Sequence, residues 1–285
     1  MTHTANKIQT IAIKHRSDAD KRILLWREKI VDYIKLHFPY VEYVDSLKAD
    51  AIIILGGDGS ILEIAKQCIS HNPFIFGLNL GHVGFLASVR DENDFEKGIH
   101  RLLSGNFSAS NRSLINVSLV RGGNVLCVTE CLNDVFIKSL AGMCELSLSI
   151  DDTAVQRIRG TGVLVSTPTG STAFNLSAHG PIVMPTLRCM IITELLDHDI
   201  PTPSVIVDNH QEIKIKIISF RKSGDFVLKK GGNDVDVVLS ADSTDVYPME
   251  VGDEIIIRTS QKTVSIVELE SGYFLKSIQE KFSFK

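Results

Sequence analysis

The chain has 285 residues, 44% of them hydrophobic, with 30 basic and 34 acidic side chains and a formal charge of −4. That length suits one large domain or two of ordinary size, and the mild acidity argues against a protein that coats nucleic acid. Mean hydropathy is +0.12, no apolar run approaches the roughly 18 residues of a membrane span, and residues 1–7 lack the apolar stretch of a signal peptide, so a cytoplasmic protein without membrane attachment is expected.

Residues 8–14 alternate well enough for a first strand. Asp18 is read as the start of a helix through Ile34, with Ile23, Leu24, Ile30, Val31 and Ile34 on its inner face. Trp26, the single tryptophan, belongs either to that face or to a contact between chains. A short strand at 41–44 precedes a fully apolar one at 51–55, which reads as a buried strand of a parallel sheet. It breaks into Gly56-Gly57-Asp58-Gly59-Ser60 and resumes with helical spacing at Ile61, Leu62, Ile64 and Ala65, with Ser60 as the expected N-cap. Glycines there let the backbone turn sharply and turn helix N–H groups toward an anion. Asp58 then either holds Mg²⁺ or orients a hydroxyl, or it merely caps the helix. A strand at 73–77, a loop at 81–86 and a helix from Asp91 to Leu103 ending at Gly105 complete the alternation of a doubly wound parallel sheet.

After Asn106 the pattern changes. Strands at 114–120 and 125–129 flank Arg121-Gly122-Gly123-Asn124, and strands at 146–150 and 154–158 flank Asp151-Asp152-Thr153. Further strands are expected at 213–218, 226–228, 235–239, 255–259 and 264–267, with polar turns at 221–225 and 229–234. This half reads as a β-sandwich-like or meandering sheet. Residues 272–284 have helical spacing at Phe274, Leu275, Ile278 and Phe282. The five cysteines (Cys68, Cys127, Cys131, Cys144, Cys189) are odd in number and show no CxxC spacing, which suits thiols of a reducing compartment better than a zinc or disulfide site.

A second conspicuous stretch, Thr167-Pro168-Thr169-Gly170-Ser171-Thr172-Ala173-Phe174, follows a strand at 162–166 and precedes a short helix through Ala178. Small hydroxyl residues at such a turn either donate to phosphate and ribose oxygens or simply cap the helix. Recurrence of the strand–turn–helix device seen at Gly56 to Ser60 favours ligand binding.

Together these stretches resemble the NAD kinase family, whose hallmarks are a GGDG[ST] loop, an Asn-Glu pair and a TPTGSTAY segment. Gly56 to Ser60 match the first, Asn133-Asp134 stand at the second, and Thr167 to Phe174, continuing through Ser177 to Ile182, match the third. The resemblance runs from about residue 8 to residue 282. It implies an N-terminal α/β domain (1–105, with 270–285 packing back on it) and a β-rich dinucleotide-binding domain (106–269). It also implies phosphorylation of the 2′-hydroxyl of the adenosine ribose of NAD, from ATP or polyphosphate with a divalent metal such as Mg²⁺. By the same resemblance Asp58 is the catalytic carboxylate, Gly57 and Gly59 leave room for phosphates, and Asn133 and Asp134 hydrogen-bond the ribose. Thr172, Ala173, Phe174, Asn175, Leu176 and Ser177 line the substrate pocket and Phe85 adds apolar contact. Arg159 and Thr161 serve the neighbouring subunit's site in a homo-oligomer, commonly a tetramer.

Several matched positions depart from the family pattern. Asp134 stands for Glu, Thr161 for Asp, Phe174 for Tyr, His179 for Gly and Thr244 for Gln, and Asp197-His198-Asp199 reads as a surface turn rather than a metal site. The departures cluster on the dinucleotide side and spare Asp58. The alternatives are a non-catalytic NAD(P)-binding sensor and a kinase with a related acceptor.

Overall fold

The computed structural model describes residues 8–81, 84–140, 142–198, 202–222, 228–230 and 233–282. Residues 1–7, His82, Val83, Asp199, Phe226, Val227 and residues 283–285 therefore lie outside the described residues, as do parts of the expected turns at 221–225 and 229–234. The chain divides into two compact units, Met1–Arg112 with Lys262–Lys285, and Ser113–Gln261.

Strands and helices alternate through the first unit as β1 (Thr10–Lys14), α1 (Lys21–His37), β2 (Glu42–Tyr43), β3 (Ala51–Leu55), α2 (Asp58–Gln67), β4 (Phe74–Leu78) and α3 (Phe95–Leu103). The strands pair in parallel in the order β4-β3-β1-β2. Every residue of β3 is buried, the signature of a central strand covered on both faces. Asp18 does not begin α1. It pairs with Arg16 at 3.1 Å, and Asp20 takes the cap by accepting the Ile23 N–H at 2.9 Å. Leu24 turns outward and is 44% exposed, so it leaves the inner face assigned to it. Trp26 belongs to that face, its ring edge-on to Phe95 at 4.9 Å between centroids. Asp91 accepts the Asn93 N–H at 2.9 Å above a 3₁₀ turn that leads into α3, and Gly105 closes the segment at φ 72°.

The second unit is built from strands. Its elements are β5 (Ser108–Arg121), β6 (Asn124–Cys131), β7 (Asp134–Ser139), β8 (Cys144–Ile150), β9 (Thr153–Ser166), α4 (Phe174–Ser177), β10 (Cys189–Asp197), β11 (Val205–Asp208), β12 (Ile213–Phe220), β13 (Leu228–Lys230), β14 (Asn233–Val235), β15 (Val237–Ala241), β16 (Asp245–Pro248) and β17 (Glu254–Glu268). Strands β5 and β17 contribute residues to both units. Most neighbours are antiparallel, in the order β16-β15-β7-β9-β8-β12-β17. Long β9 serves three partners: its first half pairs β8, and its second half lies between β7 and β10. Both expected hairpin turns form with two left-handed residues, Gly122 and Gly123 in one, Asp151 and Asp152 in the other. That geometry matches the right-handed twist of the flanking strands.

Strands β7, β10, β11 and β16 add to those read from sequence. The strands expected at 255–259 and 264–267 are one 15-residue strand, β17. Ser260-Gln261-Lys262-Thr263 is polar but holds no Gly, Pro, Asn or Asp, so nothing turns the chain there. Residues 229–230 and 233–234, expected in a turn, pair as β13 and β14. The C-terminal helix α5 (Tyr273–Phe282) belongs to the first unit, with Phe274 and Ser277 as its buried residues and Leu275 exposed.

Candidate active site

In the first unit the glycine loop ends β3 and opens α2 directly. Gly56 adopts φ 150°, and a Cβ there would meet Ser60 Oγ at 2.5 Å. Ser60 is consequently not the N-cap. Gly57 holds that position with no side-chain cap bond, and Asp58 is the first helical residue. The Ser60 side chain instead lies over Gly56, inside the first turn.

Asp58 does not cap its own helix. One carboxylate oxygen accepts the Phe85 N–H at 2.6 Å and the other accepts the Leu86 N–H at 3.1 Å. Gly84 makes this approach available, because a Cβ at that position would fall inside the Asp58 carboxylate. Asp58 remains partly exposed, whereas a Cβ on Gly57 or Gly59 would meet nothing within 4 Å. Open space therefore borders Gly57 and Gly59 at the N-terminus of a ten-residue helix, the end that carries the positive pole of the helix dipole. Phe85 contributes its amide rather than its ring. The ring is buried, 5.8 Å from that of Phe274 and beneath the Lys281 ammonium. Buried Asn79, which the sequence reading passed over, accepts the Gly81 N–H at 3.1 Å and shapes the turn beside Gly57.

In the second unit the remaining predicted residues separate into two sets. Asp134, directly after Asn133, starts β7 opposite Ser166, the last residue of β9. The Asn133 carbonyl accepts the Thr167 N–H at 2.8 Å, and the Leu132 carbonyl accepts Thr167 Oγ1 at 2.6 Å. A Cβ on Gly170 would fall inside the Asn133 carbonyl, so the Thr167–Phe174 loop lies directly on the Asn133–Asp134 turn. The backbone N–H groups of Leu132, Asn133 and Asp134 all donate to the buried Asp242 carboxylate, at 2.8, 2.8 and 3.1 Å. Asp242 was missed by sequence reasoning. It stands more than 100 residues from the turn it holds, beyond the reach of any local pattern.

The Asp134 carboxyl is 3% exposed. Burial first, and the neighbouring Asp242 charge second, push it up to about 7, against the opposing hydrogen bond from the Phe174 N–H. It is thus a strut beneath the Phe174 loop. Asn175 is another: its buried side chain donates to the Pro181 carbonyl at 3.0 Å and accepts from Thr193 Oγ1 at 2.7 Å. Thr172, Ala173, Phe174, Leu176 and Ser177 are partly or fully exposed around these struts, with the Phe174 ring edge-on to Phe136 at 5.2 Å. His179 sits in the left-handed region at φ 61° with its side chain exposed, so the cost of replacing a glycine falls on the backbone rather than on packing.

Arg159 and Thr161 do not join this group. They project from the exposed side of β9, five or more residues before Ser166, which is about 16 Å or more along a strand at ~3.3 Å per residue. His198 donates its backbone N–H to the Arg159 carbonyl at 2.9 Å. Among the described residues no group of three or more His, Cys, Asp or Glu is arranged to hold a metal ion.

Comparison with known proteins agrees with both halves of this geometry. Residues 5–107 match the ATP-NAD kinase N-terminal domain and residues 132–269 the ATP-NAD kinase C-terminal domain. The NAD kinase of Symbiobacterium thermophilum is 31% identical over 238 residues, 83% of this chain and 79% of that protein. That of Desulforamulus reducens is 29% identical over 82% of this chain and 77% of its own length. Two solved structures share the fold at 23% identity. Yeast NADH kinase complexed with NADH superimposes with a TM-score of 0.83, covering 98% of this chain and 89% of that one. An Archaeoglobus fulgidus NAD kinase in complex with ATP gives 0.73, covering 97% and 100%. The family read from the motifs is borne out: this chain belongs to the NAD kinase family, whose members are phosphotransferases.

Proposed function

We propose that the chain transfers the terminal phosphoryl group of ATP to the 2′-hydroxyl of the adenosine ribose of NAD, giving NADP and ADP. The observation that carries this reading is Asp58, held by the Phe85 and Leu86 amides at an open helix N-terminus instead of capping its helix. In the reaction the ribose oxygen attacks phosphorus, the bond from phosphorus to the ADP oxygen breaks, and the hydroxyl proton passes to Asp58. A carboxylate is a weak base for an alcohol proton, so orienting the hydroxyl is the larger part of its task. The positive end of α2 attracts phosphate oxygens, with Gly57 and Gly59 leaving room for them.

The donor set suits a divalent ion such as Mg²⁺ delivered by the triphosphate and touched by one carboxylate, rather than a cage of protein ligands. Each Asp58 oxygen keeps a lone pair beyond its amide bond for that purpose. When bound, the ion offsets charge on the transferring phosphates. Inorganic polyphosphate offers the same oxygens and is the alternative donor.

On the acceptor side, Asn133 reaches the ribose hydroxyls, and Thr172, Ala173, Phe174, Leu176 and Ser177 form the wall for adenine and ribose, with Asp134 and Asn175 fixing that wall from beneath. The distance of Arg159 and Thr161 along β9 supports a role at a neighbouring subunit's site in a homo-oligomer, with a tetramer the form expected. Five free thiols suit a reducing cytoplasm.

Purified protein incubated with each pairing of NAD or NADH and ATP or polyphosphate, with Mg²⁺, tests the reading. NAD with ATP is expected to yield NADP, and Asp58→Asn to lower the rate by about a thousandfold while calorimetry still detects NAD. Dinucleotide binding by the intact protein without any phosphoryl transfer would sink it.

A further inference from the structure

The two amides that hold Asp58 belong to a segment that has its own anchor. Tyr273, the first residue of α5, donates its hydroxyl to the Ala87 carbonyl, one residue beyond Leu86. The same phenol oxygen accepts the Arg90 Nε–H at 2.9 Å, and the Arg90 guanidinium lies 4.4 Å above the Tyr273 ring. Arg90 is fastened in turn by Ser277 and Glu280 of the same helix. Phe274, the next residue of α5, lies against the Phe85 ring. Both ends of the Phe85–Ala87 stretch are therefore fixed from the C-terminal helix, while its middle faces Asp58. Tyr273 is close enough to feel the Asp58 charge, and its largely buried phenol stays a neutral donor, pushed up to about 12 chiefly by burial.

We propose that Tyr273 is a positioning residue for Asp58. Together with Arg90 it locks the Phe85 and Leu86 amides in the orientation that aims the carboxylate at the acceptor hydroxyl. The inference rests on Asp58 acting in phosphoryl transfer. A hydroxyl that acts through the Ala87 carbonyl, next in the chain to Leu86, does so by orienting the carboxylate's donors, so its influence falls on the rate of transfer rather than on binding.

The test compares wild type, Tyr273→Phe, Asp58→Asn and, as a control on the exposed side of α5, Lys276→Ala, using NAD kinase kinetics and backbone amide exchange. Tyr273→Phe is expected to lower kcat on the order of ten- to a hundredfold, with the KM for NAD unchanged, and to speed exchange at Phe85 and Leu86. Lys276→Ala is expected to change neither. Unaltered exchange at those two amides overturns the proposal, as does faster exchange with unaltered kcat while Asp58→Asn is inactive. An Asp58→Asn protein that keeps full activity overturns the catalytic reading instead, and the exchange data then still decide whether Tyr273 holds the segment. Should Tyr273→Phe fail to fold, Arg90→Gln, which removes the other partner of the phenol, takes its place with the same expected outcomes.

Discussion

Two aspartates in this molecule, Asp58 of the glycine loop and Asp134 of the Asn133-Asp134 pair, each begin a regular element, yet their surroundings are opposite. Asp58 is partly exposed and its carboxylate is gripped from outside by two amides, which fix its orientation. Asp134 is 3% exposed beside a second buried carboxylate, and burial holds it half-protonated near neutral pH. The same side chain borders open space in one place and is packed into a loop's interior in the other. Solvent and hydrogen-bond donors, not residue type, make the difference.

Adding a methyl group next to Asp58 is the most direct way to break the contrast. Gly84→Ala places a Cβ where the carboxylate sits, and it is expected to lower kcat by about a hundredfold with the KM for NAD nearly unchanged. Steady-state kinetics check this, and an unaltered kcat would show that the carboxylate's position does not matter.

The second test sharpens the Asp134 side. Its folded pKa of about 7 lies above the usual unfolded value near ~3.9. Between those values the native state binds more protons than the unfolded chain, so this residue's contribution to stability falls as pH rises from about 4 to 7. At ~1.4 kcal/mol per pH unit the loss amounts to a few kcal/mol at most. Asp134→Asn removes the titration, so in denaturant unfolding the variant should gain on wild type between pH 5 and pH 8. A pH-independent difference would refute the assignment. The smallest effect concerns His179. Its left-handed backbone costs about 1 kcal/mol, partly offset by the greater unfolded-state freedom of glycine. His179→Gly should therefore raise stability by roughly half a kcal/mol, measurable as a small rise in Tm, while leaving kcat alone.

Much of this was legible in the chain itself. The apolar run of β3, the glycines after it and the helical spacing beyond them announced a strand–turn–helix, because each depends on near neighbours. The cap was misread for the same reason: Ser60 is a good N-cap in isolation, but Gly56 and Gly57 turn the chain early enough for Asp58 to begin the helix. Asn175 counted as a pocket residue because it lies within a motif, whereas its partners Pro181 and Thr193 show it spent on the loop's interior.

By itself, then, the sequence determined the alternation of strand and helix in the first unit, the places of the two hairpin turns, the family, and the glycine loop that holds Asp58. All of these are written in spacing and in backbone preferences that act over a few residues. Only the tertiary structure decided what holds the motifs in shape: Gly84, Phe85, Leu86 and Tyr273 around Asp58, and Asp242 beneath Asn133. Those bonds join residues from 27 to 186 positions apart, and which donor reaches which acceptor depends on the packing of whole elements rather than on any local pattern.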